Sequence, residues 1–357
     1  MINRVFAIVV SVATALSAGS ALAAYNTNST STGSSTVVAG TGGNSINTIS
    51  SGFSSSILGG FGGGFVSADG KTNYAANSKR QGGGFADSGA ATGASAGAGE
   101  QRFGVWSNFS GTGFSESQTA IDTSGQVYTF ALGADYRINN WVIGGLSVGY
   151  ERQDINTNFN NGTWDANGAV VAPYVLVQLI PNQLFLDATA GYVGNSIDLT
   201  RNNGAITADT SGTRFFMASN LTATLASGNF QFRPSIGANW MYQGIDGYSE
   251  TGTGGNPSVP DTTVHFGQFL AGGQVGYQFG NVQPYLLAQY VYAYKYDLPT
   301  VGPGQTQPTA YKNSANVGGG LLFALSPRFS GGVQFQSQVG QTDYISYTGS
   351  GTIRYAF

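Results

Sequence analysis

The chain has 357 residues, of which 9% are charged and 13% aromatic, with a formal net charge of −3, one histidine and no cysteine. Without a basic surplus there is no electrostatic footprint for nucleic acid, and one imidazole with no thiolate does not make a zinc site. No disulfide can brace the fold, and the mean hydropathy of −0.05 is what a soluble protein gives, or a barrel whose polar lumen offsets its greasy exterior.

Residues 1–23 read as a secretory signal: Arg4 near the start, an apolar stretch from Val5 to Leu16, then Ala21-Leu22-Ala23 as a small-x-small cleavage site. The mature chain is expected to start at Ala24. No later segment approaches the roughly 18 uninterrupted apolar residues that a membrane helix needs, so spanning by helices is excluded after processing. A closed barrel is the other spanning solution, because lipid satisfies no exposed backbone hydrogen bond.

From Ala24 to Gly99 the chain is dominated by Gly, Ser, Thr and Asn, with scattered apolar residues such as Val37, Ile46, Phe53, Leu58 and Phe65. That apolar content does not offset an ordering entropy of about 1–2 kcal/mol per residue, so the segment is expected to be flexible. Gly59–Gly64 and Gly82–Gly84 give it a linker character. Gly93-Ala94-Ser95-Ala96-Gly97 matches the G-x-S-x-G nucleophile pattern, but the motif works only on a sharp turn between a strand and a helix. In low-complexity sequence it reads as chance composition.

Residues 102–357 alternate apolar and polar side chains in twelve stretches, which predicts strands near 102–115, 125–138, 141–155, 164–180, 183–198, 213–227, 229–243, 264–280, 282–296, 312–325, 328–340 and 343–357. Tight turns are expected at Asn139-Asn140, Pro181-Asn182, Gly228, Asn281 and Ser326-Pro327. Between them lie longer polar loops at 116–124, 156–163, 199–212, 244–263 and 297–311. Short periplasmic turns alternating with long outer loops are the asymmetry of outer-membrane barrels. In the seventh stretch Phe230, Phe232, Pro234, Ile236, Ala238, Trp240 and Tyr242 share the outward face. Tyr290, Tyr292, Tyr294 and Tyr296 are assigned outward in the ninth, as part of an interfacial girdle. The fourth is ambiguous, because Tyr174 and Leu176 oppose Val171, Val175 and Val177. Arg placed at outward Ile236 or Leu321 should be costly, and at inward Ser235 or Gly320 mild.

His265, with Asp261 four residues before it, invites comparison with the rim histidines of barrel hydrolases, but its parity groups it with outward Phe269, Val275, Tyr277 and Phe279. It reads as interfacial. Arg102, Arg137, Arg233, Arg328 and Arg354 share inward parity at the periplasmic strand ends, with Asp135 and Asp187 at similar depth. This lumen charge ring has two readings left open: a basic ring that grips a passing or plugging segment or favours anions, or a lattice of ion pairs bracing the wall. Gln231, Gln268, Gln274, Gln278, Gln334, Gln336 and Gln338 are expected to make the rest of the lumen polar and neutral.

The Trp106 strand, Leu132-Gly133-Ala134-Asp135-Tyr136 followed by Trp141-Val142-Ile143-Gly144-Gly145, the twelve-strand length and the closing Ile353-Arg354-Tyr355-Ala356-Phe357 together resemble the translocator barrel of autotransporters, the type V secretion family. The resemblance implies an outer-membrane barrel that carries an N-terminal passenger outward past a helix threaded through the lumen, with Phe357 and Tyr355 as the signal to the insertion machinery. It also implies periplasmic chaperones and outer-membrane lipid as partners, and neither a cofactor nor catalysis. Two features depart from the pattern: residues 24–101 carry no solenoid repeat, and the stretch where the helix would lie has Gly at 89, 93, 97 and 99, each costing about 1 kcal/mol against Ala in a helix. The expected organisation is a signal peptide (1–23), a short passenger or linker (24–101) and an all-β, twelve-stranded antiparallel transmembrane barrel (102–357). Its role is to anchor and display or translocate the upstream segment. The alternative is a porin-like channel with an N-terminal periplasmic tail or lumen plug.

Overall fold

The structure, a computed structural model, describes residues 102–118, 122–255, 258–296, 312–326 and 328–357. The expected signal, the Gly/Ser-rich segment with its G-x-S-x-G match, and loop 297–311 lie outside the described residues. Thirteen strand segments form one antiparallel sheet: β1 (Phe103–Glu116), β2 (Thr123–Arg137), β3 (Val142–Thr157), β4 (Gly162–Ile180), β5 (Leu184–Arg201), β6 (Ile206–Ala223), β7 (Leu225–Ser227), β8 (Phe230–Ile245), β9 (Thr262–Tyr277), β10 (Val282–Tyr296), β11 (Asn313–Ala324), β12 (Phe329–Val339) and β13 (Tyr344–Ala356). Because β6 and β7 both pair with β8, they are one stave broken at Thr224, whose N–H bonds the Gln183 carbonyl at 2.7 Å. The barrel therefore has twelve staves. It closes by pairing β1 with β13, from Gly104 opposite Ala356 to Glu116 opposite Tyr344.

The short turns work through local chemistry. Asn139 Oδ1 accepts from the N–H groups of Trp141 (2.7 Å) and Val142 (2.9 Å), a side chain imitating a backbone turn. Asn182, Gly228 and Gly280 take the left-handed conformation at three of the other turns, at little cost for Gly or Asn. Outer connections differ from expectation. The predicted loops at 156–163 and 199–212 are the tips of two long hairpins, since β3 runs to Thr157, β4 starts at Gly162, β5 runs to Arg201 and β6 starts at Ile206. One side of the barrel is thus a tall wall.

Face assignments follow the alternation. Phe230 and Phe232 are exposed while Gln231 and Arg233 are buried, and His265 lies outside against Tyr242 (ring centroids 5.3 Å) and Trp240 (6.3 Å). Register sets Tyr192, Phe215, Tyr242 and His265 side by side across β5, β6, β8 and β9, a run of amphipathic rings at the interface height. The ambiguity in β4 resolves with Tyr174 and Leu176 inward and Val171 and Val175 outward. Tyr296 corrects the sequence reading: a bulge between Ala293 and Lys295 shifts the register by one residue, so Tyr296 turns in and packs on Phe266 at 5.7 Å.

The lumen differs from expectation as well. Buried, inward side chains on β3 to β9, including Ile155, Trp164, Ile197, Phe216, Met241, Val264 and Phe266, form a contiguous apolar core in the outer half of the barrel. Neutral amides and hydroxyls dominate the inner faces of β10 to β13, among them Gln289, Asn316, Gln334, Gln336 and Thr348. A Cβ at Gly320 would overlap the Val333 carbonyl oxygen and the Tyr285 hydroxyl, so Gly320→Arg is not mild, contrary to its lumen parity. The usable comparison is Ile236→Arg against Ser235→Arg. The outward arginine is expected to cost about 2–4 kcal/mol near the midplane and the inward one clearly less, read as urea midpoints of protein folded into lipid vesicles.

Candidate functional site: the barrel lumen

Inward residues near the periplasmic rim come from staves at both ends of the sheet, which closure brings together. Arg354 on β13 donates from Nη1 to Asp135 Oδ2 and from Nη2 to Asp135 Oδ1, both at 2.6 Å, a bidentate pair that is almost fully buried. Tyr174 on β4 donates its hydroxyl hydrogen to Asp135 Oδ2 at 3.1 Å and accepts from Trp106 Nε1 on β1 at 2.7 Å. Four staves are thereby cross-linked across the seam, β13 on one side and β1, β2 and β4 on the other. Space for the tyrosine comes from Gly145, where a Cβ would overlap the Tyr174 ring and the Ala134 carbonyl oxygen. Arg137 is half-buried and within electrostatic range of both Arg354 and Asp135.

The other residues of the expected charge ring are dispersed. Asp187 accepts from Asn220 Nδ2 at 2.9 Å, on β5 and β6. Arg233 on β8 sits with Gln231 and Gln283. Arg102 and Arg328 are exposed at the rim. The structure gathers Arg354, Asp135 and Arg137, pairs Arg102 with Arg137 through the Arg137 N–H on the Arg102 carbonyl at 2.7 Å, and leaves Asp187, Arg233 and Arg328 apart from that group.

A second buried pair was missed by the sequence reading. Arg214 on β6 donates from Nη1 to both Glu151 carboxylate oxygens at 3.0 Å and from Nε to Gln243 Oε1 at 2.9 Å, while Gln153 Nε2 donates to Glu151 Oε1 at 2.5 Å. Both partners are nearly inaccessible. Parity marks each as inward, Glu151 with Ser147 and Arg214 with Phe216, but only the register brings β3 and β6 into reach. Nothing in this arrangement aligns a nucleophile with a base, and among the described residues no group of His, Cys, Asp or Glu is placed to hold a metal.

At the seam the last residue is anchored beside the first strand. Phe357 N–H donates to the Phe103 carbonyl at 2.9 Å, and its ring lies 5.6 Å from Phe103 and 5.0 Å from Tyr355. All three rings face outward.

A family model described as the autotransporter beta-domain matches residues 101–336. Among solved structures, the translocator domain of autotransporter NalP from Neisseria meningitidis superposes with a TM-score of 0.61 at 13% identity, covering 72% of this chain and 90% of that one. The transport unit of the autotransporter AIDA-I from Escherichia coli gives 0.58 at 16% identity, covering 73% and 93%. Esterase EstA from Pseudomonas aeruginosa is 26% identical over 211 residues, which is 54% of this chain and 32% of that protein. The chain spans about a third of the length of the curated relatives it matches.

Proposed function

Because the chain belongs to the autotransporter beta-domain family, we propose that its outer-membrane barrel anchors residues 24–101 and carries them through the lumen to the cell surface. The observation that carries this reading is the shared rim. With twelve staves both ends of the barrel lie on one side, and the Phe357-to-Phe103 hydrogen bond holds the entry of the upstream segment beside the C-terminus at the periplasmic mouth. An upstream segment bound for the surface has the lumen as its path. The barrel itself is read as doing no chemistry, and the esterase activity in the name of EstA belongs to that protein.

The test has two arms. A tag inserted after Ala24 is expected to be reached by antibody on intact cells. Full-length protein in planar bilayers is expected to conduct less than a form beginning at Gln101, with Glu100 and its neighbours lying against the lumen arginines. Equal, large conductance from both proteins with an unreachable tag would support a porin with a periplasmic tail instead.

Tyr355 and Phe357 are read as the assembly signal recognised by the insertion machinery after periplasmic chaperones deliver the chain. Phe357 is 56% exposed, so its removal from a finished barrel forfeits little burial. Deleting it is expected to lower outer-membrane levels several-fold and leave protein in the periplasm, as measured by fractionation. Unchanged surface levels would count against this role.

A further inference from the structure

Among the described residues three arginines are buried within the barrel, and two of them meet a carboxylate: Arg354 meets Asp135 through two nitrogens, and Arg214 meets Glu151 through Nη1. The third, Arg233, is 6% exposed and has no carboxylate partner among the described residues. Its Nη2 donates to the side-chain oxygens of Gln231 (3.0 Å) and Gln283 (3.4 Å), and Gln283 Nε2 donates to the same Gln231 oxygen at 2.9 Å. Its Nε is buried with no acceptor. Two neutral amide oxygens do not compensate a buried full charge, whose desolvation costs several kcal/mol. Gln274, the cross-strand partner of Arg233 on β9, adds an amide on the same inner face, and the Tyr285 hydroxyl nearby is engaged with Gln334 at 2.8 Å.

We propose that Arg233 is the centre of an anion site in the lumen wall, built to take one carboxylate. A guanidinium with a free N–H edge among neutral amides matches a planar monovalent anion better than a phosphate, which would demand more donors than this site offers. The carboxylate has two available sources. One is this chain, where residues 24–101 contain three acids, Asp69, Asp87 and Glu100. The other is a free small carboxylate entering the lumen, and this second source makes the site independent of the translocation reading.

The sign of a stability change tests it. In full-length protein purified in detergent and held in sodium acetate, the temperature at which the compact, unboiled gel form is lost is measured for wild type and Arg233→Gln. If the site holds an anion, Arg233→Gln is expected to lower this temperature by several degrees, because the glutamine strands the bound charge. Should the carboxylate come from the chain, one of Asp69→Asn, Asp87→Asn or Glu100→Gln reproduces the loss and adds nothing to Arg233→Gln. Should it be free, the three acid variants behave as wild type. Sodium acetate then raises the wild-type midpoint relative to a bulky sulfonate buffer of equal ionic strength, and Arg233→Gln abolishes that response. The proposal is overturned if Arg233→Gln matches or exceeds wild type, or if its loss couples neither to an acid variant nor to acetate. If Arg233→Gln does not fold, Arg233→Lys with the acid variants and the acetate series on wild type decides on the same terms.

Discussion

Arg354→Met is expected to destabilise the folded barrel by about 3–5 kcal/mol, because it leaves Asp135 buried with a charge and no cation in direct contact. Among the described residues Asp135 would retain the Tyr174 hydroxyl, with Arg137 in electrostatic range of the same carboxylate. The double variant Asp135→Leu with Arg354→Met removes both charges and should recover much of the loss, since a well-packed apolar replacement of a buried pair is often neutral. Urea unfolding in lipid vesicles, followed by tryptophan fluorescence, gives the coupling directly. Additive losses would mean that the pair is not a unit.

The second large effect is expected at Gly145. Replacing it with Leu drives a side chain into the Tyr174 ring and against the Ala134 carbonyl oxygen. Overpacking of this kind costs about 1–3 kcal/mol. Displacing the tyrosine also breaks the hydrogen bond from Trp106 Nε1 to the Tyr174 hydroxyl, whose net loss costs about 0.5–1.5 kcal/mol more. Adding Tyr174→Ala should restore part of the stability and not all of it, because the clash with Ala134 is backbone. Full recovery in the double variant would assign the whole effect to the aromatic ring.

Much of the architecture was legible because lipid outside and a narrow lumen inside impose a period of two. The staves, their turns at Asn139, Asn182 and Gly228, and the outward place of His265 all follow from that alternation. Above the membrane the outward residues no longer need to be greasy. Register there lines up Asp154, Asp165, Asp198 and Asp209 on β3 to β6, and of these four Asp209 lies in a polar stretch that reads as loop. Tyr296 failed for a different reason, since one inserted residue in β10 reverses every later face and leaves no compositional mark. The apolar half of the lumen is not legible from the alternation, because Ile155, Phe216 and Met241 stand on the inward parity, where a barrel lumen is expected to be polar. Within the site, each charged residue could be placed on a face by counting. Which ones meet could not, as Asp135 and Arg354 are separated by 219 positions and become neighbours only through closure.

The hydrogen bond between Phe357 and Phe103 has a consequence for how much chain is free to act outside the cell. Both ends of the barrel are tethered to the inner rim, so whatever is exposed must first span a hydrocarbon layer of about 30 Å. Extended backbone covers that distance in about nine residues and a helix in about twenty. If residues 24–101 are displayed as proposed, part of their length is set by membrane thickness and not by their own task, and shortening the segment toward that length would draw the displayed portion back into the pore. The reach of the exposed part is a quantity that insertions or deletions before Arg102 would tune one residue at a time.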